Sequence, residues 1–296
     1  MKKIKTIVFP VGGFGTRFLP ATKATPKEML PVAEKPLIQY AFEEALNAGI
    51  EKFIFVTGRN KNSIEDHFDN AFELQKTLDE KKKTEMLEKT IGWLPPAGQI
   101  VFLRQQKPMG LGHAVLCAEK FVGDEPFAVS LADDMNYKQN GNFLKDMIDI
   151  AEEKDANIIG IGEVEKKNVS RYGIIDFDSN DGDLYKIKNM IEKPSVEEAP
   201  SNLSNIGKYV LKPEIFEYLK QTELGISGEI QLTDAMKKML ENDDFYGLKF
   251  NDRRFDCGSV VGYLEANIYY ALKNEKIKDK VENIISNFYR DINNDK

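Results

Sequence analysis

Lys5-Thr-Ile-Val-Phe-Pro10 runs without a break into Val11-Gly-Gly-Phe-Gly-Thr-Arg17, a short β-branched stretch followed by turn chemistry. The junction predicts a buried strand whose carboxyl end opens into a glycine loop. Beyond the loop, Leu37, Ala41, Ala45 and Ala48 recur at helical spacing, Pro36 stands at a first helical position and Gly49 supplies the stop. Strand-like runs return at 53–56, 100–103 and 127–131, separated by helical stretches over 63–78 and 112–120. Strands alternating with helices predict an α/β protein with a doubly wound, mixed but mainly parallel sheet and helices on both faces.

After Asp133 the rhythm changes. Strands are expected at 158–164, 173–177, 184–191 and 206–211 with fewer helices between them, and Asp181-Gly182-Asp183 reads as a hairpin turn. Helical patterns resume at 229–240, 260–273 and 276–289. The Lys/Glu-rich stretch 73–89 reads as a solvated helical insertion, with Trp93 packing beside it. No flexible linker or fixed-period repeat interrupts the chain, so 1–296 is expected to form a single domain.

Composition narrows the function. The 296 residues carry 41 Lys plus Arg against 48 Asp plus Glu, a net charge of −7, which disfavours nucleic acid as a partner because duplex affinity comes from clustered cations. No run approaches the roughly 18 to 20 apolar residues of a membrane span, and Met1-Lys2-Lys3 leads into a strand without an apolar signal core, so a cytoplasmic protein with no membrane partner is expected. Two cysteines, Cys117 and Cys257, and two histidines, His67 and His113, are too few for a disulfide framework or a zinc site. The cysteines read as small buried fillers. Any metal must be held by oxygen.

The glycine loop allows backbone amides to approach an anion, yet it lacks the Gly-Lys-Ser/Thr of a P-loop and the third glycine of a dinucleotide fold. A purely structural turn remains open at this point. Arg17, Lys23 and Lys27 follow in a segment broken by Pro20 and Pro26, where cations can converge on a polyphosphate. Asp133 closes an apolar strand at the edge where ligands of α/β sheets collect, suiting either Mg²⁺ or a helix cap. Strand alternation turns Asp134 the other way.

The whole stretch Gly12-Gly-Phe-Gly-Thr-Arg-Phe-Leu-Pro-Ala-Thr-Lys-Ala-Thr-Pro-Lys-Glu-Met-Leu-Pro31 closely resembles the opening of the bacterial UTP–glucose-1-phosphate uridylyltransferases, a sugar-nucleotidyltransferase family. Further blocks follow in the family's order: Arg104-Gln105, Gly110-Leu-Gly-His-Ala114, Leu131-Ala-Asp-Asp134, Arg171-Tyr-Gly-Ile174, Glu192-Lys-Pro194, Asn205-Ile-Gly-Lys-Tyr209, Gly228-Glu-Ile-Gln-Leu-Thr-Asp234 and Phe255-Asp-Cys-Gly258. The pattern departs from the family at Val11-Gly12, Ala132 and Lys208.

The resemblance implies UTP and glucose 1-phosphate as substrates, UDP-glucose and pyrophosphate as products, Mg²⁺ as cofactor, and a homodimer or homotetramer. It implies a nucleotide-binding half over 1–134, a sugar-phosphate half over 135–275, and a C-terminal helix over 276–296 as a candidate oligomer contact. By resemblance Asp133 and Asp256 hold the metal, and Arg17, Lys27 and Lys193 handle phosphates. Val11, Gly12, Gly13, Gly15, Thr16, Glu28, Gln105 and Gly110 address the nucleotide. Gly173, Glu192, Asn205, Gly207 and Glu229, with Lys193, address the sugar phosphate. Gln105 offers an amide donor and acceptor for a uracil edge, and Gly110 leaves room for the base. His113 is expected to be structural or a substrate contact, since a phosphate nucleophile needs no general base.

Overall fold

The computed structural model describes residues 1–225 and 228–294. Among these residues thirteen strands form in chain order: β1 Thr6–Pro10, β2 Pro31–Val32, β3 Lys35–Pro36, β4 Lys52–Thr57, β5 Ile100–Arg104, β6 Phe127–Ser130 and β7 Asp134–Tyr137. The remainder are β8 Asn157–Glu163, β9 Gly173–Asp181, β10 Leu184–Glu192, β11 Leu203–Leu211, β12 Phe245–Lys249 and β13 Arg253–Asp256. Nine of them make one sheet in the order β5-β4-β1-β6-β11-β8-β12-β10-β9. The β5-β4-β1-β6 run is parallel, as are β8 and β12, while β10 and β11 run against their neighbours. The mixed half begins at β11, which inserts antiparallel between β6 and β8.

The parallel strands are apolar on both faces because helices cover both. Ile7, Phe9, Phe53 and Phe55 face one core with Phe42 and Leu144, whereas Val8, Ile54 and Val56 face a second with Val115, Leu219 and Met236. The helix Leu37–Asn47 buries Leu37, Ile38, Ala41, Phe42 and Ala45 as one stripe and stops at Gly49, whose φ of 92° only glycine adopts freely. Pro36 lies just outside this helix, as its N-cap. Asn142 Oδ1 accepts from Lys145 N to start the helix Phe143–Lys154, which periodicity missed.

Several boundaries differ from expectation. The stretch 63–78 divides into Asn62–His67 and Phe72–Glu80, and the insertion continues with Thr84–Ile91; Trp93 stacks on His67 at 5.0 Å and closes this unit onto Phe42 and Phe68. The stretch 112–120 divides into Leu111–Leu116 and Glu119–Val122, and the stretch 229–240 is helical only over Leu232–Met239. The C-terminal helix, Lys278–Asn294, buries no residue and exposes Ile285, Phe288 and Ile292; Asp295 and Lys296 lie outside the described residues. Among those residues no helix is long and apolar enough to cross a membrane.

This wiring creates the crevice. The chain leaves β1 toward β4 on one side, while β6 flanks β1 on the other, so the loops after β1 and β6 part at the carboxyl edge of the sheet.

Candidate active site

A cleft of about 490 Å³ opens at that edge, walled by the glycine loop on one side and by β9, β10 and β11 on the other. Of the expected residues, Gly12, Gly13, Arg17, Lys27, Glu28, Gln105, Gly110, Asp133 and Asp256 line it, as do Gly173, Glu192, Lys193, Asn205, Gly207 and Glu229. Val11, Gly15 and Thr16 do not. Val11 is fully buried and its N–H extends the sheet by donating to Val56 O at 2.9 Å, so its side chain belongs to the core. Gly15 has φ 65°, and a Cβ there would stand 3.1 Å from Lys27 Cβ: its bareness lets the lysine segment fold back on the loop. Thr16 opens the 3₁₀ turn Thr16–Phe18 that presents Arg17.

Asp133 does not end β6, which stops at Ser130; Leu131 N continues the pairing by donating to Gly207 O, and the chain then turns into β7. Asp256 ends β13, which pairs antiparallel with β7, so this small second sheet brings the two acids to one place. A Cβ on Gly258 would lie 3.0 Å from an oxygen of each carboxylate and 3.3 Å from an Arg17 nitrogen. Lys27 Nζ meets Asp133 Oδ2 at 2.6 Å. Burial opposes both charges, yet each offsets the other's cost: the Asp133 carboxyl is held below its ordinary value and the Lys27 ammonium above its own.

Asp256 is oriented from the far wall. The Tyr172 hydroxyl donates to its Oδ2 at 2.7 Å and Arg171 reaches the same oxygen at 3.4 Å, while Gly258 N donates to Oδ1 at 3.1 Å. Burial and the Asp256 carboxylate push the Tyr172 phenol up to about 12, which keeps it a donor. Asp134 takes a different partner, as alternation implied: Arg254 grips it with two bonds of 2.8 and 2.6 Å. Both side chains are nearly buried, at 15% and 12% exposure, so Arg254→Ala strands a carboxylate in the interior. We expect a loss of about 3 kcal/mol in urea unfolding, against less than about 1 kcal/mol for an exposed pair.

Glu28 is buried on Lys61, Nζ to Oε2 2.7 Å, and its Oε1 has no hydrogen-bond partner among the described residues. Burial pushes this carboxyl up, against the pull of Lys27 and Lys61. Gln105 corrects an expectation. Its Nε2 donates to Gly110 O at 3.1 Å and meets His113 Nδ1 at 2.9 Å, which occupies both amide hydrogens and leaves only an acceptor, Oε1, beside Gly12. Cys117 is half-buried with Sγ 3.8 Å from the same His113 nitrogen, while Cys257 is fully buried.

On the opposite wall a Cβ on Gly173 would come 2.4 Å from Asn205 Nδ2 and 3.1 Å from Glu192 Oε2. Thr233 Oγ1 donates to that Glu192 oxygen at 2.7 Å. Lys193 adopts φ 47°, the left-handed region, with its N–H on Tyr172 O at 3.0 Å and its Nζ 3.0 Å from Glu192. Glu229 borders the first wall: Ile230 N donates to Met109 O at 2.8 Å, and a Cβ on Gly110 would collide with Glu229 Cβ at 2.7 Å. Tyr172, Thr233 and Lys61 were missed in the sequence; Tyr172 and Thr233 stand inside recognised blocks, whereas Lys61 carries no local signal.

Residues 6–273 match the family model described as nucleotidyl transferase. A UTP–glucose-1-phosphate uridylyltransferase of Bacillus subtilis is 46% identical over 281 residues, covering 95% of this chain and 96% of its own. A UTP-bound UGPase from Acinetobacter baumannii superposes with a TM-score of 0.88 at 41% identity, covering 95% of this chain and 98% of that one. A UDP-glucose pyrophosphorylase complexed with UDP-glucose superposes at 0.82 with 43% identity, covering 92% and 100%. The loop, the crevice and the near full-length likeness agree, and the chain belongs to the nucleotidyl transferase family.

Proposed function

We propose that this chain joins UTP and glucose 1-phosphate to give UDP-glucose and pyrophosphate. The observation that carries the reading is the meeting of Asp133, Asp256 and Arg17 around Gly258, between a glycine-loop wall and a wall of sugar-sized polar groups. The relatives' names and bound molecules, UTP in one structure and UDP-glucose in another, support it.

In this reading residues 1–134 hold the nucleotide and 135–275 the sugar phosphate. Gly12 and Gly13 present amides to the triphosphate, Gln105 and Gly110 take the base, and Glu28 lies beneath the nucleotide. Arg17 and Lys27 hold the departing β- and γ-phosphates. Lys193 neutralises the phosphate of the sugar, whose hydroxyls meet Gly173, Glu192, Asn205, Gly207 and Glu229. The donor set fits Mg²⁺: two carboxylates within reach of one point, with no third acidic, histidine or cysteine ligand among the described residues, is the set this ion takes when phosphate oxygens complete it. Bound there by Asp133 and Asp256, it would supply charge neutralisation at the reacting phosphates.

A sugar-phosphate oxygen attacks the α-phosphorus, the bond to the β-phosphate oxygen breaks, and that oxygen leaves with the electron pair. No proton moves and no enzyme nucleophile is required. Two unit charges about 4 Å apart repel by about 1 kcal/mol in water and severalfold more in a protein, which Lys193 on one side and Arg17 with Lys27 on the other offset. A homodimer or homotetramer joined through the apolar face of Lys278–Asn294 is the assembly that accompanies this reading.

Pyrophosphate release measured across a panel of nucleoside triphosphates and sugar 1-phosphates tests the proposal; strongest turnover with another pair overturns it. A finer expectation concerns Gly173→Ala, whose methyl would press on Asn205 and Glu192. The KM for glucose 1-phosphate should rise about tenfold while that for UTP holds, because displacing one or two sugar contacts removes about 1–2 kcal/mol.

A further inference from the structure

We propose that His113 sets base specificity by fixing the orientation of the Gln105 amide, so that the cleft presents an acceptor and not a donor to the pyrimidine N3. The inference rests on the reading of Gln105 as the base contact.

Gly110 O is a backbone carbonyl and can only accept, so the Gln105 group 3.1 Å from it is the NH₂. The second hydrogen of that NH₂ then meets His113 Nδ1 at 2.9 Å, which must be the bare ring nitrogen, leaving the ring proton on Nε2. His113 stands on the short helix Leu111–Leu116, which is tied into the wall by Gly112 N donating to Ile230 O at 2.9 Å. Gln105 is itself buried, at 7% exposure, and its backbone N–H is held by Thr57 O at 2.8 Å. With main chain and amide both anchored, Oε1 has one direction left: over Gly12, on the cleft wall.

The consequence is a selection by hydrogen-bond sign. Uracil carries a donor at N3 and satisfies Oε1. Cytosine carries an acceptor there and would face Oε1 with a lone pair, leaving two buried acceptors opposed. Rotating the amide to rescue cytosine would set Oε1 against Gly110 O and against the His113 nitrogen together. His113 thus acts as a positioning residue, not as a catalytic one.

The test is the ratio of kcat/KM for UTP to that for CTP, which does not depend on how much of a variant preparation is folded. His113→Phe keeps a ring and removes the acceptor; the ratio should fall about tenfold, chiefly through better use of CTP. His113→Asn places an amide oxygen near the position of Nδ1 and should restore most of it. Gln105→Leu separates the two layers of the argument. If it raises the KM for UTP while His113→Phe leaves the ratio at the wild-type value, the base contact stands and the role of His113 is overturned. If Gln105→Leu leaves the UTP KM unchanged, the base contact falls and the inference falls with it.

Discussion

Asp256→Asn should lower kcat by about 10³-fold at saturating substrates and Mg²⁺, because one of the two carboxylates proposed to hold the charge-neutralising Mg²⁺ is lost. The fold should survive, since asparagine keeps an oxygen for Gly258 N and sets its NH₂ as a donor to the Tyr172 hydroxyl oxygen. Asp133→Asn should match the loss of turnover and add a loss of stability that Asp256→Asn does not show, because Lys27 then lacks its counter-ion. Steady-state kinetics paired with urea unfolding separate the effects. Turnover near wild type in either variant would remove that residue from the metal site.

The second large effect is expected at Lys27. Charge builds on the bridging oxygen as pyrophosphate departs, so a cation on the leaving side contributes more in the transition state than in the ground state. Lys27→Met should therefore lower kcat by about 10²-fold and also raise the KM for UTP, with the KM for glucose 1-phosphate nearly constant. A change confined to the sugar-phosphate KM would contradict the assignment. The 2.6 Å contact with Asp133 adds a second readout. Removing the ammonium takes away the main force that holds the Asp133 carboxyl down, so a measured titration of that group should move upward.

The parallel half of the sheet was legible because its strands are buried on both faces and read as unbroken apolar runs, such as Thr6–Pro10 and Lys52–Thr57. The short antiparallel pair of β7 and β13 was not, although it brings Asp133 and Asp256 together: Asp134-Met-Asn-Tyr137 and Arg253-Arg-Phe-Asp256 carry no alternation strong enough to mark a strand. Helix 143–154 was hidden by its charged outer face, and the strand limits of β9 and β11 extend beyond the apolar stretch because hairpin and neighbour pairing continue where composition changes.

Site residues were legible where a motif carries them and illegible where distance alone does. Lys27 and Asp133 meet across 106 positions, and Tyr172 and Asp256 across 84. No local pattern encodes such pairs; the sheet order makes them. Val11, Gly15 and Thr16 were placed in the nucleotide site as members of a loop, yet within that loop the backbone assigns one residue to the core and one to a left-handed turn. The Gln105 amide was read as free in both its functions, and only the neighbouring Gly110 carbonyl and His113 ring show that half of it is already committed.

The left-handed backbone at Lys193 bears on how this chain can change. A lysine at φ 47° costs on the order of 1 kcal/mol that glycine would not. Selection for thermal robustness alone would therefore drive the position toward glycine, and with it remove the ammonium proposed to neutralise the sugar phosphate. The residue marks a place where heat tolerance and turnover pull in opposite directions. A directed-evolution campaign scored only on surviving heat would be expected to accumulate inactive clones at this codon first.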